Sequence, residues 1–187
     1  MLKELIMNNR SYRRFYQEVT ISSETLLDLI DLARFTATGA NKQSLRYKLI
    51  NDPDINDGVF SCLGWAGYLS DWQGPEAGEQ PAAYIVVLND QRIKQNPQYD
   101  VGLASQSILL GAVEKGYGGC LFGSVNREKL RKILSIPTDY DITLVIALGK
   151  PKEKVVLDQV KNGDIRYWRD TKQVHHVPKL KREDIIL

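Results

Sequence analysis

The sequence predicts an α+β fold, and three observations carry that prediction. Residues 100–124 read DVGLASQSILLGAVEKGYGGCLFGS: a helix-length stretch, apolar on nearly every side, that turns through glycines into a short apolar strand. Two further apolar runs, YIVVL at 84–88 and TLVIALG at 143–149, have the length and β-branching of buried strands. Amphipathic helical stretches stand among them without a regular strand–helix alternation. At 187 residues the chain is long enough for one substantial core, and a single domain over 1–187 is the expectation. There is no internal repeat or low-complexity run.

In chain order, residues 2–8 form a short helix that packs Leu2, Leu5 and Ile6. The run Asn8-Asn9-Arg10-Ser11-Tyr12-Arg13-Arg14-Phe15 follows. Guanidinium groups offer a fixed fork of donors to phosphate oxygens, and serine adds a short donor, so this run is a candidate phosphate clamp. The competing reading is a solvated basic turn. A second helix is capped by Ser22, with Ile21 and Leu26 at the positions of a hydrophobic staple. Leu26, Leu29, Ile30 and Ala33 continue it at helical spacing, and it fades at Phe35-Thr36. The small polar loop 37–44 (ATGANKQS) either exposes amides and side-chain donors to a ligand or is an ordinary connection. Residues 45–51 (LRYKLIN) alternate as a strand does.

Residues 52–80 are broken by glycines and prolines, with Trp65, Tyr68 and Trp72 interleaved, and read as a loop-rich excursion. Their three- and four-residue spacing would put the aromatics on one face of a helix. There they either pack on the core or line a pocket for a flat ligand. In the central stretch Asp100 is the expected N-cap, Lys115 sits in the last turn and Gly116 stops the helix. The strand after Gly118 and Gly119 ends at Gly123, where backbone can approach a ligand closely. Another short helix, capped by Asn126, closes before Pro137, and the last apolar strand stops at Gly149 and Pro151. Beyond Lys152 the chain is polar and aperiodic but carries Tyr167, Trp168, His175 and His176. A tail with such aromatics and no core of its own is expected to lie along another surface, a partner subunit among the candidates.

Composition narrows the function. A hydrophobic content of 43% and a charged content of 26% are ordinary for a globular chain, and a formal charge of +2 gives no argument for nucleic acid. No apolar run approaches the roughly 20 residues of a membrane span. The start MLKELIMNN lacks the pattern of a secretory signal. Cys62 and Cys120 form no close pair and read as buried, reduced thiols of a cytoplasmic protein. His175 and His176 are adjacent, so their side chains diverge, and no metal site is expected.

Taken in order, these pieces resemble the nitroreductase family of flavin mononucleotide (FMN) enzymes. Asn9-Arg10-Ser11-Tyr12-Arg13 resembles its Arg-Arg-Ser-x-Arg motif, and residues 37–45 resemble Pro-Ser-Ala-x-Asn-x-Gln-Pro-Trp. Residues 100–123 resemble its long central helix followed by Gly-Leu-Gly-x-Cys-Trp-x-Gly, and 144–151 its last strand with a Leu-Gly-x-Pro ending. In three places the chain departs: Asn9 replaces the first arginine, Ser44-Leu45 replace Pro-Trp, and the late basic residue has two counterparts, Lys179 by position and Arg169.

The resemblance implies a central mixed or antiparallel sheet flanked by helices, with a long buried helix and a C-terminal arm, residues 152–187, wrapping a partner subunit. It implies a homodimer with FMN at the subunit interface. Arg10, Ser11 and Arg13 come from one subunit; Thr38, Gly39 and Asn41 come from the other, and Gln43 joins the cofactor-binding set. By the same analogy Leu121, Phe122 and Gly123 lie against the flavin ring, and Lys179 reaches the phosphate. Arg13 would stabilise the negative charge of the reduced ring. The implied chemistry is ping-pong: NADH or NADPH gives hydride to the flavin, and a flat acceptor such as a nitroaromatic or quinone takes it away. No catalytic side chain is required, and no Ser/His/Asp or Cys/His constellation is visible. Two alternatives stand beside this: a flavin-binding module that stores or senses FMN, and a relative of the reductive dehalogenases or of a flavin-fragmenting enzyme.

Overall fold

The two longest apolar runs pair with each other. In the computed structural model, which describes residues 2–187, strand β3 (Ala83–Asp90) runs antiparallel to β5 (Tyr140–Pro151), with Ile85 opposite Ile146 and Val86 opposite Val145. Strand β2 (Leu45–Ile50) pairs with the free side of β3. Strands β4 (Gly118–Phe122) and β1 (Phe15–Tyr16) pair in turn with the other side of β5, so this five-stranded sheet is antiparallel throughout.

Every residue of β3 is buried, because both of its faces are covered. Ile85 and Val87 join Leu26, Leu29, Ala104 and Ile108 from helices α2 (Ser23–Arg34) and α4 (Gln98–Glu114). Tyr84 and Val86 face the opposite way, onto Val59 of α3 (Pro53–Phe60) and Leu130 and Leu134 of α5 (Arg127–Leu134). The period of two along one strand therefore feeds two separate cores.

The Ser22 hydroxyl caps α2 by accepting from the Thr25 amide, and the Asn126 side chain caps α5 by accepting from that of Lys129. Helix α3 falls inside the stretch expected to be loop. Asp52 caps it and Pro53 fixes its first turn, a local start signal that outweighs the glycines further on. Helix α1 (Leu2–Asn8) forms as expected but buries none of its residues in this chain, and Leu2 and Ile6 stay exposed.

Two expectations for the central helix need correction. Asp100 is not its N-cap: α4 starts at Gln98, and the Asp100 carboxylate instead accepts from the Gly39 amide and from Lys94. Nor is α4 buried all round, since Leu103 is 50% exposed beside Gly102 and Gln106. Gly116 does end the helix, at a φ of +78 that favours glycine. Gly119 then lets β4 lie close: a Cβ there would stand 2.5 Å from the Ala147 carbonyl oxygen.

The tail has regular structure of its own, contrary to the expectation from its polarity. Strands β6 (Val155–Gln159), β7 (Trp168–Arg169) and β8 (His175–Lys179) form a three-stranded sheet in the order β6-β8-β7, with β6 and β8 parallel. Its strands are short and half-polar, so no continuous apolar run announced them. A backbone bond ties this tail to the N-terminal run, from the Lys152 amide to the Arg14 carbonyl at 2.9 Å, and another, from the His175 amide to the Lys154 carbonyl at 2.8 Å, closes the start of β8 on the segment before β6.

Candidate functional site

The basic N-terminal run, helix α4, strand β4 and strand β8 converge on one pocket of about 320 Å³. Arg10, Ser11, Arg13, Leu121 and Lys179, all expected at a site, line it together. The N-terminal segment is extended here because it bonds to β4: the Tyr12 amide donates to the Gly119 carbonyl at 3.0 Å, and Ser11 bridges to Gly119. Strand alternation on β8 turns His175, Val177 and Lys179 into the pocket and leaves His176 and Pro178 on the other side. The two histidines diverge accordingly, and His176 stacks on Trp168 with ring centroids 4.0 Å apart.

The lining carries Arg10, Arg13 and Lys179 and no carboxylate, which makes it a place for an anion. Arg10 donates through Nη2 to the Ile6 carbonyl at 2.7 Å, while its buried Nε finds no partner among the described residues. Arg13 is held on several sides. Its Nη1 lies 3.2 Å from the Ser11 carbonyl and 3.2 Å from His175 Nε2, and its guanidinium sits over the Tyr167 ring at 4.8 Å. The Arg13 amide donates to the buried Glu153 carboxylate, which also takes Arg169 at 3.1 Å. Of the two late basic residues, Lys179 thus reaches the pocket, while Arg169 is spent behind it on Glu153 and on the Trp72 ring at 4.5 Å. Burial pushes the His175 imidazole down to about 4, with the Arg13 and Arg169 charges adding to it, so the ring is neutral at neutral pH.

The second predicted group lies apart. Thr38 and Gln43 line a separate depression of about 450 Å³ with Arg34, Lys42 and Arg46. Gly39 and Asn41 belong to the short turn Gly39–Asn41, which the Asp100 carboxylate anchors to the first turn of α4. Burial would raise the Asp100 pKa, but Lys94 at 2.6 Å and the Gly39 amide hold it below the ordinary range. Ala40, Asn41 and Gln43 all take positive φ, a costly backbone that a ligand contact can justify. Gly123 opens onto a third depression, and among the described residues nothing beyond its own chain neighbours stands within 4 Å of where its Cβ would be. Phe122 turns its ring into the core, 4.6 Å from the Trp65 ring, while Leu121 on the other face is 42% exposed. Only the backbone of Phe122 is therefore available to a ligand on the Leu121 side.

Sequence reasoning missed Gln106, Tyr167 and His175 as lining residues. Gln106 carried a readable signal, an amide in the apolar middle of a helix, and its Oε1 accepts from the Asn9 side chain at 3.3 Å. Among the described residues no cluster of His, Cys, Asp and Glu could hold a metal ion, and no helix is long and apolar enough to cross a membrane.

The segment that carries Trp65, Tyr68 and Trp72 is not helical, and the three aromatics divide. Trp65 packs between Phe60 at 5.4 Å, Phe122 and Trp72 at 6.0 Å. Tyr68 packs at a tilt against Tyr167, a pocket residue, with ring centroids 4.9 Å apart. Trp65→Ala should lower stability by about 2–4 kcal/mol in urea denaturation, as loss of a packed aromatic does. Tyr68→Ala should leave stability within about 1 kcal/mol and alter what the pocket accepts several-fold, since an aromatic pair is worth about 0.5–1.5 kcal/mol. Equal destabilisation by both, with unchanged selectivity, would show the whole excursion to be structural.

Comparison with known proteins gives a consistent picture. The model of the Nitroreductase family matches residues 6–150. Protein DrgA of Synechocystis is 22% identical over 178 residues, covering 80% of this chain and 84% of that protein. The crystal structure of a nitroreductase family protein from Clostridium novyi superposes with a TM-score of 0.69 at 23% identity, covering 81% and 86% of the two chains. An NADPH:FMN oxidoreductase from Vibrio harveyi, solved with NAD+, has a TM-score of 0.63 at 20% identity, covering 80% of this chain and 68% of that one.

Proposed function

The chain belongs to the nitroreductase family, whose model spans more than half of it, and on that premise we propose that it is an FMN-dependent oxidoreductase linking NAD(P)H to a flat acceptor such as a nitroaromatic or quinone. The observation that carries this reading is the pocket between the N-terminal run and β8: three cations, a serine, no carboxylate, and a buried Arg10 Nε without a partner among the described residues. A dianionic phosphate on a polar ribityl chain suits that donor set.

In this reading Arg10, Ser11, Arg13 and Lys179 hold the phosphate side of FMN, with Arg13 as the cation nearest the ring. Leu121 offers an apolar surface to the ring, and the open backbone at Gly123 lets an amide approach it. When bound, FMN supplies the hydride chemistry, so no side chain of the protein has to act as acid, base or nucleophile. This agrees with a His175 that is buried and neutral, and with a Cys120 thiol that burial pushes up and out of reactive range.

A second copy of the chain completes the site. Thr38, Gly39, Asn41 and Gln43 lie outside the cationic pocket of their own chain, and their strained turn is exposed. The exposed Leu2, Ile6, Met7, Tyr99 and Leu103 of α1 and α4 favour association, since a homodimer interface buries such surface. We take residues 1–187 as one flavin-binding domain whose extension, 152–187, supplies Lys179 to its own pocket and reaches across the dimer. The free, buried Cys62 and Cys120 support a reducing, cytoplasmic setting.

Purification decides the matter. The protein should be yellow, elute as a dimer by light scattering with about one FMN per chain, and oxidise NADH or NADPH when a nitroaromatic or quinone is added. A colourless protein that takes up no added FMN would refute the flavin reading. A flavin-loaded protein inert toward both nicotinamides would make it a storage module instead.

A further inference from the structure

We propose that His175 is a positioning residue that fixes the Arg13 guanidinium in the cationic pocket, so that the C-terminal sheet completes the anion site; this rests on the flavin reading above. His175 is 1% exposed, stands on β8 beside the pocket, and belongs to none of the residues that the phosphate chemistry itself requires. Its Nε2 lies 3.2 Å from Arg13 Nη1. A guanidinium can only donate, so Nε2 must accept, and the single ring proton must sit on Nδ1. That Nδ1 is buried without a partner among the described residues. A histidine kept only for packing would satisfy both nitrogens or be replaced by an apolar ring, because an unpaired buried donor is costly. The arrangement makes sense if the acceptor at Nε2 is the purpose.

The surroundings keep that acceptor available. Arg13 faces the ring from the N-terminal run, Arg169 from β7 and His176 along β8, and each opposes a positive charge on it. Tyr167 flanks the ring at 5.3 Å and carries the Arg13 guanidinium on its own face. Glu153, between Arg13 and Arg169, is engaged by the Arg13 amide and the Arg169 guanidinium. Lys179 lines the same pocket two residues along β8, and the Cys120 thiol lies close enough to feel Arg13. Without His175 the guanidinium would keep, among the described residues, the Ser11 carbonyl and the Tyr167 ring, and neither fixes its direction toward a ligand. A residue more than 160 positions away in sequence thereby orients the basic run.

The test is FMN affinity by flavin-fluorescence quenching, in a cycle with Arg13, on the full-length protein. His175→Leu should raise the Kd about tenfold, the scale of one charged hydrogen bond. His175→Gln, whose amide oxygen can accept from Arg13, should restore affinity to within about threefold. In an Arg13→Ala background His175→Leu should add less than about twofold, because the two residues act as a unit. Equal losses in the Leu and Gln variants, or a full additional loss in the Arg13→Ala background, would overturn the proposal. If His175→Leu fails to fold, nitrogen NMR of the flavin-free wild type decides: a ring protonated on Nδ1 at pH 7 supports the bond to Arg13, and one protonated on Nε2 overturns it. A wild type that binds no FMN sinks the flavin reading and the anion role together. Normal wild-type affinity with an indifferent residue 175 sinks this inference alone.

Discussion

Replacing Glu153 by alanine is expected to destabilise the protein by about 3–5 kcal/mol, the range found when one partner of a buried ion pair is removed. The Glu153 side chain is fully buried, and the paired Arg169 side chain is only 9% exposed. The carboxylate takes the Arg13 amide on one oxygen and Arg169 on the other, so it joins the N-terminal run, the start of the tail and β7 at one point. Alanine would leave a buried guanidinium and a buried amide without their acceptor, while Arg13 and His175 stand nearby with no negative charge among them. Glu153→Gln keeps an acceptor for the amide but loses the charge, and should cost roughly half as much. Urea denaturation followed by circular dichroism gives the numbers. A shift below about 1 kcal/mol for Glu153→Ala would mean that the tail is held by its backbone bonds alone, and that Arg169 escapes to water when its partner is gone.

Arg13→Ala should leave the fold largely intact and weaken FMN binding by about 1.5–3 kcal/mol, a tenfold to hundredfold rise in Kd. The backbone amide that engages Glu153 is still present in the variant, so the stability effect is expected to be the smaller one. Arg13→Lys should recover only part of the affinity, because an ammonium group cannot serve Ser11, His175 and a ligand in one plane as the guanidinium fork can. Titrating flavin-free protein with FMN measures both. An Arg13→Ala protein with wild-type affinity would move the phosphate to Arg10 and Lys179, and would leave the Arg13–His175 pair as a purely structural lock.

Much of the fold was legible because its signals are local. Ser22 and Asn126 announce helix starts through side chains that reach their own backbone a turn later, and Gly116 announces an end through a φ that favours glycine. The buried strands β3 and β5 are legible because both faces are covered, so the chain has no reason to alternate. Helix α3 was hidden by the glycines around it, although Asp52-Pro53 was a fair start signal. The tail sheet was hidden for a different reason. His175 to Lys179 is a strand whose two faces meet two different pockets, and such a strand shows no apolar run.

The candidate site divides in the same way. The basic run at 10–13 and the small loop at 37–44 could be marked as candidates from residue types and their order, because phosphate chemistry needs guanidinium forks and exposed amides. Only the tertiary structure decided which partners these residues keep. It gave Lys179 rather than Arg169 to the pocket, because strand alternation on β8 points one into the pocket and a buried carboxylate holds the other behind it. It turned Phe122 into the core and Leu121 out of it, and it made Asp100 an anchor for the 39–41 turn rather than a helix cap. It set His175 against Arg13, a contact between residues separated by nearly the whole chain. Local physics writes helix ends and strand faces into a sequence. Pairings across such distances depend on how the packed elements bring side chains together, and no window of sequence contains them.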